Sequence, residues 1–281
     1  YQDLSVDLGS YANSSDLVDS VNTVLASGPV IGADDVSEPD VSTAAEVKAL
    51  FAAYDKIRTA DATDTNIPAL NLNQSDYEAL GLGGVVDFTA NATEKLALLN
   101  GVLDERSGVN TTNVASWSDL QGMAGTVDEL IASAASGVSS TTLSVSDLDT
   151  LGFSNVDIDS LDAVLQAIAD SNTADLQAFS DGDSDDTNDL TSLVNTAISD
   201  FNAAHAAVTN YAGDSTDAIG LDSANGNAQY PAPTDTQYQD LSVDLGSYAN
   251  SSDLVDSVNT VLASSPVVGA DDVAKPDVST A

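Results

Sequence analysis

Apolar residues recur along this chain at helical spacing, in short runs divided by polar stretches rich in Asp, Ser and Thr. A recurring short phrase is Leu143-Ser144-Val145-Ser146-Asp147-Leu148-Asp149-Thr150-Leu151-Gly152. Val145, Leu148 and Leu151 fall on one helical face, and Ser144 or Ser146 is placed to cap its start. Gly152 stands where a C-terminal glycine cap belongs, with Phe153 as its hydrophobic contact. Leu72-Asn73-Gln74-Ser75-Asp76-Tyr77-Glu78-Ala79-Leu80-Gly81 has the same form, and Asp3-Leu4-Ser5-Val6-Asp7-Leu8-Gly9 is a looser relative. Each phrase predicts a short first helix.

A second helix follows each phrase. Leu17, Val21 and Val24 share their spacing with Leu161, Leu165 and Ile168, and Leu96, Leu99, Val102 and Leu103 hold the corresponding place between them. A third helix comes after a polar loop. Thr43-Ala44-Ala45-Glu46 is a capping box that opens one, with Val47, Leu50, Phe51, Tyr54 and Ile57 as its stripe. Trp117, Leu120, Val127, Leu130 and Ile131 form the next stripe, in a helix that Gly122 and Gly125 weaken. Leu190, Leu193, Val194, Ala197, Ile198, Phe201 and Val208 form the longest.

The pattern predicts an all-α chain of small three-helix-bundle modules in tandem, forming an extended repeat array. The expected modules are 1–66, 67–140 and 141–212. Residues 213–237, with Gly213, Gly220, Gly226, Pro231 and Pro233, read as a linker or docking segment. A longer repeat overlies the short one. Residues 1–44 return at 238–281 with four changes, Gly28 to Ser265, Ile31 to Val268, Ser37 to Ala274 and Glu38 to Lys275. Residues 238–281 therefore open the next copy of the first module, at a period of 237 residues (Tyr1 to Tyr238). Modules of roughly 70 to 80 residues are marginal alone, so stacking or a bound ion would have to supply what a small core lacks. The expectation is a window on a longer array whose copy number sets its reach.

Charge narrows the partners. Against 45 acidic residues stand Lys48, Lys56, Arg58, Lys95, Arg106 and Lys275, a formal net charge of −39. Such a surface repels nucleic-acid phosphates and anionic membranes and attracts cations, and it suits a salt- or calcium-rich exterior. The expected partners are neighbouring repeats or copies of the same chain, together with divalent cations, and neither nucleic acid nor direct membrane insertion. Hydrophobic residues at 42% are ordinary for a folded protein, and Cys is absent, which excludes disulfides and thiolate chemistry.

One stretch has the look of an ion loop. Asp181, Asp183 and Asp185 alternate as at the opening of an EF-hand, with Asp189 beyond, because calcium needs oxygen ligands converging from one tight turn. Asp186 stands at the sixth position in place of Gly, and Ser192 at the twelfth in place of Glu; the competing reading is a solvated acidic loop whose Thr187 or Asn188 caps the next helix. Asp34, Asp35, Asp40, Asp157 and Asp159 fit loops and helix first turns, where negative charge complements the helix dipole. His205, the single histidine, reads as a helix residue near Phe201 and Val208, and Trp117 and Met123 as core fillers. P-loop, GxSxG and HExxH motifs are missing from the sequence, so the expectation is a non-enzyme. Asn13, Asn73, Asn91, Asn110 and Asn250 head N-x-Ser/Thr sequons.

The phrases Tyr77-Glu78-Ala79-Leu80-Gly81, Leu148-Asp149-Thr150-Leu151-Gly152 and Ala45-Glu46-Val47-Lys48-Ala49-Leu50 resemble the GA-like three-helix modules of bacterial surface proteins. The order of helices is also similar to the helical tandem repeats of giant biofilm-associated adhesins of marine bacteria. The resemblance covers most of the period except 213–237, and it implies a cell-surface, extracellular location with a stalk or binding role. The expected function is the stalk or filament shaft of a surface adhesin. The alternatives are a protein-binding adhesion module and a self-assembling surface-layer or filament subunit held by calcium.

Overall fold

The computed structural model describes residues 7, 14–27, 43–59, 72–109, 117–176, 189–213, 231–243, 245 and 251–264. These residues are all-helical, with α1 Ser14–Ser27, α2 Ala44–Thr59, α3 Gln74–Ala79, α4 Ala92–Val109 and α5 Trp117–Ser136. There follow α6 Val145–Leu151, α7 Leu161–Asp170, a 3-10 turn Thr173–Leu176, α8 Leu190–Gly213, α9 Asp235–Asp240 and α10 Ser251–Ser264. The chain divides into two compact units, Tyr1–Ser154 with Ile168–Ser192, and Asn155–Ala167 with Leu193–Ala281. Helices α7 and α8 each contribute residues to both.

Three short helices are built alike. In α3, α6 and α9 the residue before the helix, Asn73, Ser144 or Thr234, accepts a hydrogen bond from the backbone N–H three residues on. The side chain of that third residue, Asp76, Asp147 or Gln237, accepts from the backbone N–H of the cap. Two of the four orphan N–H groups of each helix are satisfied in this way. The far ends match as well. Gly81, Gly152 and Ser242, each eight positions after its cap residue, take positive φ of 77°, 110° and 63°. The next N–H, of Leu82, Phe153 or Val243, then reaches back to the carbonyl of Tyr77, Leu148 or Tyr238. This is the closure of a Schellman turn, and Ser242 makes it without glycine.

Those bonds decide one reading of the pattern and correct another. Ser144 caps α6, and Ser146 lies inside the helix. In the returning copy the first helix begins at Asp235, before Tyr238, and ends in the Ser242 turn, so the phrase 240–246, which repeats 3–9, starts where that helix stops. Thr234 thus caps a helix whose first residues, Asp235 to Gln237, fall at the end of the segment 213–237. The physical signal was Thr234 with Gln237 three residues later, a capping box with an amide in place of the usual acid.

In the first unit α1 packs on α2 and α5, α2 on α3 and α4, α4 on α5, and α5 on α6. The 3-10 turn lies against α4 and α5 and buries Leu176. Thr43 and Glu46 exchange the capping-box bonds that open α2, and Leu50, Phe51 and Ile57 are fully buried. Helix α5 runs unbroken through Gly122 and Gly125 for 20 residues. Leu120, Met123, Val127, Leu130 and Ile131 are all buried along it. At about 1.5–3 kcal/mol per buried apolar side chain, that face outweighs two glycines costing about 1 kcal/mol each. In the second unit Val208 and Tyr211 of α8, Tyr238 of α9, Leu245, and Val255 and Leu262 of α10 form one apolar cluster.

Candidate functional site: the helix junctions

Of the acidic loop, Asp181, Asp183 and Asp185 lie outside the described residues, as do Thr187 and Asn188. Asp189 is buried at 5% exposure, and its carboxylate accepts the backbone N–H of Ser192 in the first turn of α8. It therefore acts as the helix cap. Among the described residues no three His, Asp or Glu side chains converge as a metal site. Asp157 has its own engagement, accepting from the Ser160 backbone N–H at 2.9 Å and hydroxyl at 2.8 Å; these bonds hold its carboxyl below the ordinary value.

His205 is half-buried and lies flat on Phe201, with ring centroids 6.1 Å apart and planes inclined by 5°. Its Nε2 is buried without a hydrogen-bond partner. Met123 is a core residue at 2% exposure, as expected of it, and the side chain of Trp117 lies outside the described set. Two of the sequons are described. Asn73 is an exposed helix cap, and Asn91 holds φ of 51°. Asn13, Asn110 and Asn250 lie outside the described residues.

The polar chemistry concentrates instead where one helix meets the next. Tyr77 of α3 is fully buried and donates its hydroxyl to Asn100 Oδ1 of α4 at 2.9 Å. Asn100 also accepts the N–H of Leu72 and donates to the carbonyl of Leu72, so one amide pins both the core end and the entry of the short helix. The second unit repeats this clamp. Tyr238 donates to Asn259 Oδ1 at 2.7 Å, and Asn259 Nδ2 donates to the carbonyl of Pro233 at 2.9 Å. Proline has no N–H, so the third bond is absent there. Helix α6 carries Leu148 in the tyrosine's place, fully buried and with no hydroxyl to satisfy.

Lysine supplies the other ties. Lys95 is almost wholly buried at 3% exposure, ion-paired to Asp128 Oδ1 of α5 at 2.7 Å and donating to the carbonyl of Asp87 at 2.7 Å. The Asp87 N–H donates to the same Asp128 oxygen, closing a ring between α4, α5 and the loop that joins α3 to α4. Hydrogen bonds from Thr89, with a smaller contribution from Lys95, hold the Asp87 carboxyl below its usual range. Lys56 of α2 pairs with Asp76 of α3 at 2.6 Å. The spacing of the apolar residues gave no hint of these ties. The legible signal was rarity, because a chain with six basic residues that places one in an apolar helix face has a use for it.

Between α5 and α6 runs an open groove lined by Gln121, Gly122, Gly125, Glu129, Thr142 and Asp147. Ser140 and Thr142 donate their hydroxyls to Glu129 Oε1, which satisfies that carboxylate locally. No described helix is long and apolar enough to cross a membrane. The chain matches no family model, no curated protein and no solved structure. Its function is read from its own geometry.

Proposed function

We propose that the chain is part of an extracellular, repetitive structural protein, the shaft of a cell-surface adhesin or filament, built from small three-helix modules in tandem. The observation that carries this reading is a junction that recurs. Helix α2 packs on α3, α5 packs on α6, and α8 shares an apolar cluster with α9. In the first two cases the last helix of an expected module lies on the capped short helix that opens the next, and in the third the two helices share core residues. Residues that open the next 237-residue period enter this scheme as the earlier modules do, because Tyr238 and Val255 complete the core of Val208 and Tyr211. Small cores that borrow surface from their neighbours form a one-dimensional array whose stability grows with copy number.

The role is mechanical and non-catalytic. Helix α8, at 24 residues, is about 36 Å long at 1.5 Å rise per residue, so each module adds a few nanometres of reach. The net charge of −39 keeps neighbouring shafts apart, and calcium at Asp181, Asp183 and Asp185 would stiffen the approach to α8. Small-angle scattering tests the reading, on this chain and on one lengthened by a period, with calcium and then with chelator. The maximum dimension should rise in proportion to the added period, and shortening in chelator would identify the acidic loop as a structural ion site. A compact particle whose dimension grows only as the cube root of mass would refute the shaft.

A further inference from the structure

The fourteen residues of α1 and α10 are identical, SSDLVDSVNTVLAS, yet they bury different sides. In α1, Leu17 and Val21 are fully buried against a bundle with α2 and α5, while Val18 and Leu25 are half-buried and Asn22 is exposed. In α10 the order reverses. Val255, Leu262 and Asn259 are buried at 4%, 5% and 7% exposure. Leu254 and Val258, the counterparts of Leu17 and Val21, are only partly buried, and Val261 is 51% exposed. The two stripes lie side by side, each residue of one following a residue of the other, about 100° further round the helix. With sequence held constant, only the neighbours differ. Around α1 they are α2 and α5, and around α10 they are α9 and the end of α8.

We propose that this helix is a two-sided connector, each stripe of which docks a defined segment of the tandem array. The Leu254–Val258–Val261 stripe of α10 receives the helices of the following copy that correspond to α2 and α5. The Val18–Leu25 stripe of α1 receives the α8–α9 segment of the copy before. The occupants are named by the molecule itself, since Leu17 and Val21 of one stripe, and Val255 and Leu262 of the other, are each buried in the copy where the assigned segment is present. An apolar stripe half-covered in one place and fully covered in another has the composition of a core and gains about 25 cal/mol per Å² when closed. The presence of a following copy rests on the tandem-shaft reading; the geometry of docking does not.

The chain contains no cysteine, so a single introduced thiol is a unique reporter. Val261→Cys, at a half-exposed position, is to be labelled with a maleimide in this chain and in the chain lengthened by one 237-residue period. Labelling at position 261 should slow at least tenfold in the longer chain, and Thr260→Cys, on the opposite polar face, should react equally in both. Leu254→Ala gives an independent reading and should lower the melting temperature more in the longer chain than in the shorter. Equal labelling at 261 in both lengths, with the scattering dimension still growing by a period, overturns the docking and leaves the shaft standing. Protection at 261 without growth in length leaves the docking and removes the shaft. Protection in the shorter chain that rises with concentration overturns the tandem occupant in favour of separate chains.

Discussion

The clamp that joins α3 to α4 and the one that joins α9 to α10 share a backbone plan and differ in what holds them. Both place a buried tyrosine hydroxyl on an asparagine amide that also grips the residue ahead of the short helix. Beside the first sits a buried ion pair, Lys95 with Asp128, and a part-buried one, Lys56 with Asp76, whose lysine is the more exposed partner. The described residues of the second unit include no lysine or arginine, and like charges meet there instead. Burial first, and the nearby Asp200 second, push the Asp240 carboxyl above its ordinary value. Shape is thus repeated from junction to junction while electrostatics is not. The two regions should therefore break under different stresses.

The largest expected effect is at Lys95. Replacing it with Met leaves Asp128 without its buried cation and should cost about 3 kcal/mol in urea unfolding, whereas Lys56→Met, whose lysine side chain is 43% exposed, should cost under about 1 kcal/mol. Equal costs would remove the distinction drawn between the two bridges. Next come the tyrosines. Tyr238→Phe should cost about 1–2 kcal/mol, and Tyr77→Phe about half of that. Asn100 keeps the Leu72 N–H as a second donor to its oxygen, and the corresponding Pro233 has none to offer.

Acid separates the two clamps by sign. The Asp87 carboxyl sits below its usual 3.8, so the stability it lends is present above that value and lost as pH falls through the lowered one. Asp240 is raised, so its ionised form costs stability that builds as pH climbs from 3.8 through the raised value, and mild acid relieves it. Amide exchange across this range should show α10 gaining protection as α4 begins to lose it. At the other extreme, burial, helped by Tyr211, pushes the Tyr238 hydroxyl up to about 12. The α9–α10 clamp should weaken progressively from pH 10 to that value, when followed by tyrosine absorbance alongside ellipticity.

The smallest changes stabilise. Ser242 holds φ of 63° at the position where Gly81 and Gly152 stand in the other short helices. Ser242→Gly should raise stability by about 0.5–1 kcal/mol. Gly122→Ala, where an added Cβ meets nothing within 4 Å, should gain about 1 kcal/mol. A loss at either site would mean that the backbone there is used in some other way.

Much of the helical plan was written in periodicity and caps. The Thr43–Glu46 box, the Gly152 turn with Phe153 behind it, and the buried stripes of α2 and α5 follow from residue spacing alone, because local hydrogen bonds and one apolar face decide them. The start of α9 was missed because Gln237 closes its box with an amide and Pro233 sits where a break is expected. The Tyr–Asn clamps were illegible because their partners stand 23 and 21 residues apart, beyond any helical period. The two stripes of α1 and α10 were illegible in principle. One sequence cannot say which side it buries until its neighbours are known. Among the candidate ion ligands, the role of Asp189 as a cap was within reach, since an acid just before a long apolar run is a common helix start.

The central claim is that one period joins the next through a shared core, and native-state amide exchange on α8, α9 and α10 tests it most directly. A 14-residue helix left to itself is marginal in water. Protection of Val255 to Leu262 must then come from Val208, Tyr211 and Tyr238. The account predicts that the amides around Val208–Tyr211 and those of α10 open with the same free energy, and that Tyr238→Phe lowers both together. Exchange of α10 at the rate of an isolated helix, with α8 still protected, would contradict it.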